Sequence, residues 1–370
     1  MRRLATVLLA CLGACGDNRP APPDAPLGVG PFQTAPHAPM PILFPHTGTV
    51  LSSVHLVTLK FTDHAAGLDL ARFGNLLVQS EWYRQVGEEY FVGLGSAELV
   101  DIGASPVSLS RADVAAKIVD LITTHRVPRP PVTDNQLLYL LYVPPSVMRG
   151  TGLGRSYHAM LTLSDGARVP IAVVLDTGGG AAETTKMAAH QLINAVTNPY
   201  MPPKAGYYAD PLDSDPWSLV RGEVGDLCEG EAPYVEHEFA YPRVYSNRAA
   251  MISMPPCMPF LPGDSWSDVT AEPAVIQMIP AGGSARFKLT GWSTSPLPAW
   301  NIRVEVADSS QLSRDEMRPS LTSDVINNAE TVTLTLHAPP EGAAAGTKGG
   351  VYILSGENEH PWAVGFVVKQ

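Results

Sequence analysis

The most constraining feature of this sequence is the run Gln136-Leu137-Leu138-Tyr139-Leu140-Leu141-Tyr142-Val143. It is apolar at every position after the first, so it has no polar side to turn to water. Such a run reads as a central strand buried on both faces. The neighbouring segments suit a layer built around it. His55 to Phe61 reads as a first strand, and Leu68 to Tyr90 as a helix with a stripe of Leu70, Phe73, Leu77 and Trp82. Ser110 opens a second helix with Asp113 as a capping-box acid, and its stripe is Ala115, Ile118, Val119 and Ile122. Tyr157–Leu163 and Arg168–Leu175 flank an Asp165-Gly166 turn and predict a hairpin. Gly178-Gly179-Gly180 leads into a third helix over Ala182–Thr197, stopped before Pro199.

From about Asp268 the texture changes to short β-rich runs. These are Ala274–Ile279, Ala285–Thr290, Asn301–Val306, Thr331–Leu336, Gly350–Leu354 and Trp362–Val368, separated by turn residues and without a helix pattern. The expected fold class is an α+β domain over 50–265 followed by an all-β, immunoglobulin-like sandwich over 266–370. The chain's 370 residues allow two or three such units. Charged residues are 16% of the chain, against about 25% in a typical domain, and the net charge is −11. No basic field is present to grip phosphates, which argues against nucleic acid and anionic membrane surfaces as partners.

The N-terminus gives an address. Arg2 and Arg3 precede the apolar run Leu4–Leu12, which is too short to span a bilayer and ends in Leu12-Gly13-Ala14-Cys15. This resembles the lipobox of bacterial lipoproteins. It implies a signal peptide over 1–15, lipidation at Cys15 and attachment to the cell envelope. Gly16 follows the Cys, not the Asp of inner-membrane retention, so outer-membrane anchoring is expected. The segment 16–49 reads as a tether, because Asp17 to Pro45 contains nine prolines. Cys11 and Cys15 belong to the leader, which leaves Cys228 and Cys257 as a disulfide pair in an oxidising compartment.

Candidate chemistry centres on the third helix. His190 and Asn194 stand four residues apart and share one face. Downstream come Thr197-Asn198-Pro199, Glu223-Val224-Gly225-Asp226-Leu227-Cys228 and Tyr245-Ser246-Asn247 before Cys257. Together with the hairpin from Tyr157-His158, these pieces resemble a secreted, zincin-like family. It includes the plant phosphate-induced (Exordium) proteins and bacterial relatives. The resemblance covers roughly 50–260 and is most specific over 157–257. It implies a helix bearing His-Glu-x-x-Glu, with His and Glu as zinc ligands and the first Glu as general base.

Two departures bear on activity. The base position is Gln191, which accepts no proton at neutral pH, and the second Glu position is Asn194, a doubtful ligand. His190, Glu223 and Asp226 remain as candidate metal ligands. Three uses stay open: a divergent zinc metallopeptidase, a residual metal site without catalysis, and a structural helix. The expectation is a catalytically inactive, metallopeptidase-like lipoprotein with no assigned catalytic residue and either no cofactor or zinc. Its role would be structural or binding, with an unknown protein or polysaccharide partner.

Weaker signals point elsewhere. Asp176-Thr177-Gly178 after an apolar strand resembles an aspartic-protease loop, with Asp101 as a partner carboxylate. The bland reading is a strand-to-helix turn. Asp210, Asp213 and Asp215 form an acidic loop without EF-hand spacing. Neither a His-Glu-x-x-His motif nor a Gly-x-Ser-x-Gly elbow occurs.

Overall fold

The computed structural model describes residues 31–64, 68–200, 206–209, 216–219, 222–307, 309–340 and 343–369. The leader, Cys15, residues 16–30 of the tether and the Asp210–Asp215 loop lie outside the described residues. Residues 34–370 form one compact unit of mixed, β-rich architecture.

The first part is a five-stranded sheet. Its strands are β1 (His55–Lys60), β2 (Ser96–Asp101), β3 (Leu137–Val143), β4 (Ser156–Thr162) and β5 (Arg168–Leu175), in the order β2-β1-β3-β5-β4. All pairs are parallel except β4 with β5, which form the expected antiparallel hairpin. Strand β3 is central, and all seven of its residues are buried.

Its side chains divide by parity, as the pleat requires. Leu138, Leu140 and Tyr142 pack toward the helices α1 (Leu70–Leu77), α2 (Glu81–Gly87) and α4 (Ala181–Thr197). Tyr139, Leu141 and Val143 pack against α3 (Arg111–Thr123). The continuous apolar run therefore has a helix layer on each side.

Two helices differ from the sequence expectation. The helix expected over 68–90 is broken. Ser80 leaves the helical conformation, and its hydroxyl accepts from the Tyr83 N–H as the N-cap of α2. Glu236 reinforces the new start, its carboxylate accepting from Glu81 N and Trp82 N, both at 2.9 Å. A carboxylate at a helix N-terminus meets both free N–H groups and the positive dipole end. Helix α3 starts at Ser110 with the capping box in place, but the face it buries is Val114, Ile118, Leu121 and Ile122. Ala115 and Val119 flank that face and do not centre it.

The second part is a two-sheet β-sandwich. One sheet is β6 (Ser267–Glu272), β8 (Ser284–Ser293), β12 (Thr331–His337) and β10 (Ser320–Leu321), in that order. The other runs β7 (Gln277–Pro280), β14 (His360–Lys369), β13 (Lys348–Ser355), β9 (Trp300–Val306) and β11 (Val325–Ile326). A four-residue helix, Arg314–Met317, interrupts the expected run of strands. Its capping box is Ser313 with Glu316. Strand β6 was not among the expected runs, because Asp268 and Thr270 break its apolar character although both are buried.

The two parts share one apolar core. Trp266, Trp292 and Trp362 of the sandwich belong to the same cluster as Leu138 and Leu192. The indole of Trp266 stacks on His360 with ring centroids 3.5 Å apart, and His360 bonds Glu231. The end of the expected tether joins this body. Leu43–Pro45 pairs with Tyr207–Ala209 in a small antiparallel ladder, and Ala35, Met40 and Leu43 are buried. These apolar residues have a core to enter, so the extended spacer gives way to packed chain before residue 49.

Candidate functional site

Helix α4 follows β5 through Gly178-Gly179-Gly180, where Gly178 and Gly180 take positive φ. Asp176 caps this turn, its Oδ1 accepting from Gly178 N at 2.8 Å. Its other oxygen lies 3.5 Å from His64 Nε2. Asp101 is on the opposite edge strand β2 and faces Thr62 and Gly103. The two carboxylates are no aspartic dyad, and the Asp-Thr-Gly stretch is the strand-to-helix turn.

Two turns into α4, His190, Gln191 and Asn194 meet two other elements, strand β4 and the loop 222–228. Asn194 is the hub. Its Nδ2 donates to Asp226 Oδ1 at 2.8 Å and lies 3.3 Å from His190 Nε2, while its Oδ1 accepts from Gly225 N at 2.8 Å. His190 Nε2 is 3.1 Å from Asp226 Oδ1. Asp226 Oδ2 accepts from the Glu223 N–H at 3.0 Å. Gly225 is required at this crossing: a Cβ there would lie 2.7 Å from Asn194 Oδ1 and 3.3 Å from His190 Nδ1.

A second pair sits beside the first. His158 on β4 places Nε2 3.3 Å from Glu223 Oε1. Glu223 also accepts from the amide of Asn198, whose own oxygen accepts from Gly206 N at 2.7 Å. Gln191 Nε2 donates to Ser156 Oγ at 3.1 Å and so ties the helix to β4.

Electrostatics follow from burial and pairing. Burial opposes a charge on His158, but the hydrogen bond and charge of Glu223, with Asp226 behind it, outweigh this and raise its pKa. Burial likewise opposes a charge on Asp226. The hydrogen bond and charge of His190 and the Glu223 N–H outweigh it and lower that pKa. His64 is the opposite case: burial dominates over Asp176 and lowers its pKa.

The structure puts His190, Asn194 and Asp226 in contact, with the Glu223 N–H on Asp226, while the Glu223 carboxylate turns to His158 and Asn198 and Gln191 reaches Ser156. His158 was legible in the predicted hairpin without a role, whereas Ser156 lay one residue before the predicted strand, which the structure extends to include it. Asn198 was visible within Thr-Asn-Pro but carried no assigned role. Cys228 and Cys257 form the disulfide, which ties the end of the site loop to Met258 and its neighbours.

The donor set does not fit a zinc ion. His190 and Asp226 are bonded to one another and to the neutral amide of Asn194, and the Glu223 carboxylate is taken up by His158 and Asn198, so no third anionic donor joins them. Among the described residues no group of three or more His, Cys, Asp or Glu is placed to hold a metal. The arrangement is a closed hydrogen-bonded network joining helix, edge strand and loop.

No family model and no curated protein match the chain. Solved structures resemble parts of it. Domains 4 and 5 of the S-layer protein SbsC are 16% identical over 29% of this chain and 54% of that one, with a TM-score of 0.21. Domains 5–6 of the same protein are 18% identical over 28% of this chain and 45% of that one, also at 0.21. A lipoprotein from Bacteroides thetaiotaomicron is 12% identical over 30% of this chain and 85% of that one, with a TM-score of 0.20. The chain spans about half the length of the first of these S-layer structures. Likeness at this level shows neither family nor function.

Proposed function

We propose that this chain is a bacterial cell-envelope lipoprotein, anchored through Cys15 in the outer membrane, that binds an extended polypeptide without cleaving it. In this reading the α/β layer is a zincin-like domain that has lost catalysis, and the sandwich is an immunoglobulin-like module. The observation that carries it is the use made of Gln191 and Asn194. Both positions, where the resembling family has carboxylates, are hydrogen-bond struts, one to Ser156 and one to Asp226 and Gly225. Neither can take a proton from water or add negative charge to a metal. Strand β4 runs beside the network at the edge of its sheet, and its residues are all at least partly exposed. An edge strand offers unpaired backbone groups to an incoming extended chain.

The alternative is a divergent zinc peptidase with His190, Glu223 and Asp226 as ligands; the facing of His190 and Asp226 favours it, and the turn of the Glu223 carboxylate to His158 and Asn198 speaks against it. Fluorescein-labelled casein, an unfolded polypeptide, separates the two readings. Binding should raise its anisotropy while the casein stays intact, with or without added zinc. Zinc-dependent cleavage would establish the alternative, and absence of both binding and cleavage would overturn the peptide-binding reading.

A further inference from the structure

Residues 239–263 contain Arg243 and Arg248 but no Asp or Glu, in a chain with 36 acidic residues. The latter half of this stretch is a surface knuckle. The short helix α5 (Asn247–Met251) and the loop after it leave Met251 62%, Ile252 69%, Met254 49% and Leu261 38% exposed. A groove of about 310 Å³ lies among Ile252, Met254, Met258, Phe260 and Val86, with Arg248 and Glu89 at its rim. Glu89 is engaged there, accepting from Ser246 Oγ and from Arg248 N. Single exposed apolar side chains need no explanation, but Met251, Ile252 and Met254 follow one another along the chain beside an apolar groove, and such a group marks a contact surface.

The path of the chain says what covers it. The segment entering the fold is strapped to this same element. Tyr245 OH donates to Pro41 O at 2.8 Å, and Asn247 exchanges bonds of 2.8 and 2.7 Å with the Leu43 backbone. Ser253 Oγ donates to His37 O at 3.4 Å. Cys15 lies nineteen residues before Thr34 in the sequence. Such a segment spans at most about 65 Å when fully extended. A lipid on Cys15 therefore bounds how far the knuckle can stand from the bilayer and makes a second, weak contact intramolecular. The chain as a whole has no basic field, but residues 239–263 carry no acid and Glu89 at the rim is engaged by Ser246 and Arg248, so this face meets anionic lipid with less repulsion than the acidic body as a whole.

We propose that the knuckle at 248–261 is a lipid-contacting surface. Met251, Ile252, Met254 and Leu261 enter the interfacial zone of the anchoring membrane, and Arg248 meets headgroup phosphates. This rests on the lipid anchor at Cys15 in the proposed function. The test uses the lipidated full chain in vesicles of phosphatidylethanolamine and phosphatidylglycerol. An environment-sensitive dye is placed at Ile252→Cys or, as control, at the exposed Val132→Cys, with the disulfide left oxidised.

Lipids brominated in the acyl chain should quench the dye at 252 at least about twofold more than at 132. Equal quenching at the two sites in protein that sediments with vesicles overturns the knuckle and leaves the anchor standing. A blue shift at 252 without acyl-chain quenching marks contact with a second copy and also overturns it. Protein that does not sediment with vesicles lacks the anchor, and both readings fall.

Discussion

Asn194 shows how much one side chain can carry. It is buried, and its amide satisfies Asp226 on one side and the Gly225 N–H on the other. Asn194→Ala leaves a buried N–H without an acceptor and removes a donor from Asp226. A loss of about 2–3 kcal/mol in unfolding free energy is expected from urea titration. Asn194→Asp keeps the acceptor but puts a second negative charge against Asp226, so it should rescue little.

His158 gives the site a pH signature. Its folded-state pKa is raised, so its pairing with Glu223 stabilises fully below the ordinary His value and is lost as pH rises through the folded value. The stability gap between wild type and His158→Gln should therefore shrink as pH rises from about 6 to 9. A gap that stays constant or widens would show that the pair is not charged. Asp226 acts in the opposite range. Its depressed pKa gives stability present above the ordinary carboxylate value and lost as pH falls through the folded one. Glutamine at 191 and asparagine at 194 were readable as departures from a motif. That both serve as struts was not, because their partners lie on a strand and a loop more than thirty positions away.

At the scale of elements, the strongest patterns in the sequence found their structures. The apolar run of β3, the Asp-Gly hairpin of β4 and β5, and the capped start of α3 were all set by local chemistry. The failures were set by tertiary contacts. A continuous helix over 68–90 satisfied periodicity, yet Ser80 and the remote carboxylate of Glu236 end one helix and begin another. Strand β6 hid because its buried Asp268 is satisfied by Trp266 Nε1 and His37, each at 3.0 Å, and no local pattern reveals that. Ser80→Ala removes the cap at a buried position. It should lower stability by about 1–2 kcal/mol and loosen α2, seen as faster amide exchange at Tyr83 and Arg84. Unchanged exchange there would mean that Glu236 alone starts the helix.

At the scale of the whole molecule, a change of texture near residue 266 suggested two units, and the structure does change there from layered α/β to sandwich. The core is nonetheless continuous. Trp362 edges onto Trp217 at 5.6 Å and onto His37 at 5.5 Å, and Glu231 of the first part bonds His360 of the second. Contacts of this kind join residues more than a hundred positions apart, which a reading of local texture does not detect. Residues 34–370 should therefore unfold in one cooperative transition, with tryptophan fluorescence and far-ultraviolet dichroism losing signal together. Two separated transitions would show that the shared core contributes little. The disulfide Cys228–Cys257 lies close to the functional site, where it limits movement of the loop that bears Glu223 and Asp226.

Amides of Gln191 and Asn194 stand in the site where the resembling family has carboxylates, and they close it by hydrogen bonds. Elemental analysis of the purified full chain after dialysis tests this closure most directly, with Gln191→Glu/Asn194→Glu as a second sample. No stoichiometric zinc is expected in the wild type and a gain of zinc in the double variant, where carboxylates replace both struts. About one zinc per wild-type chain, lost in His190→Ala, would contradict it.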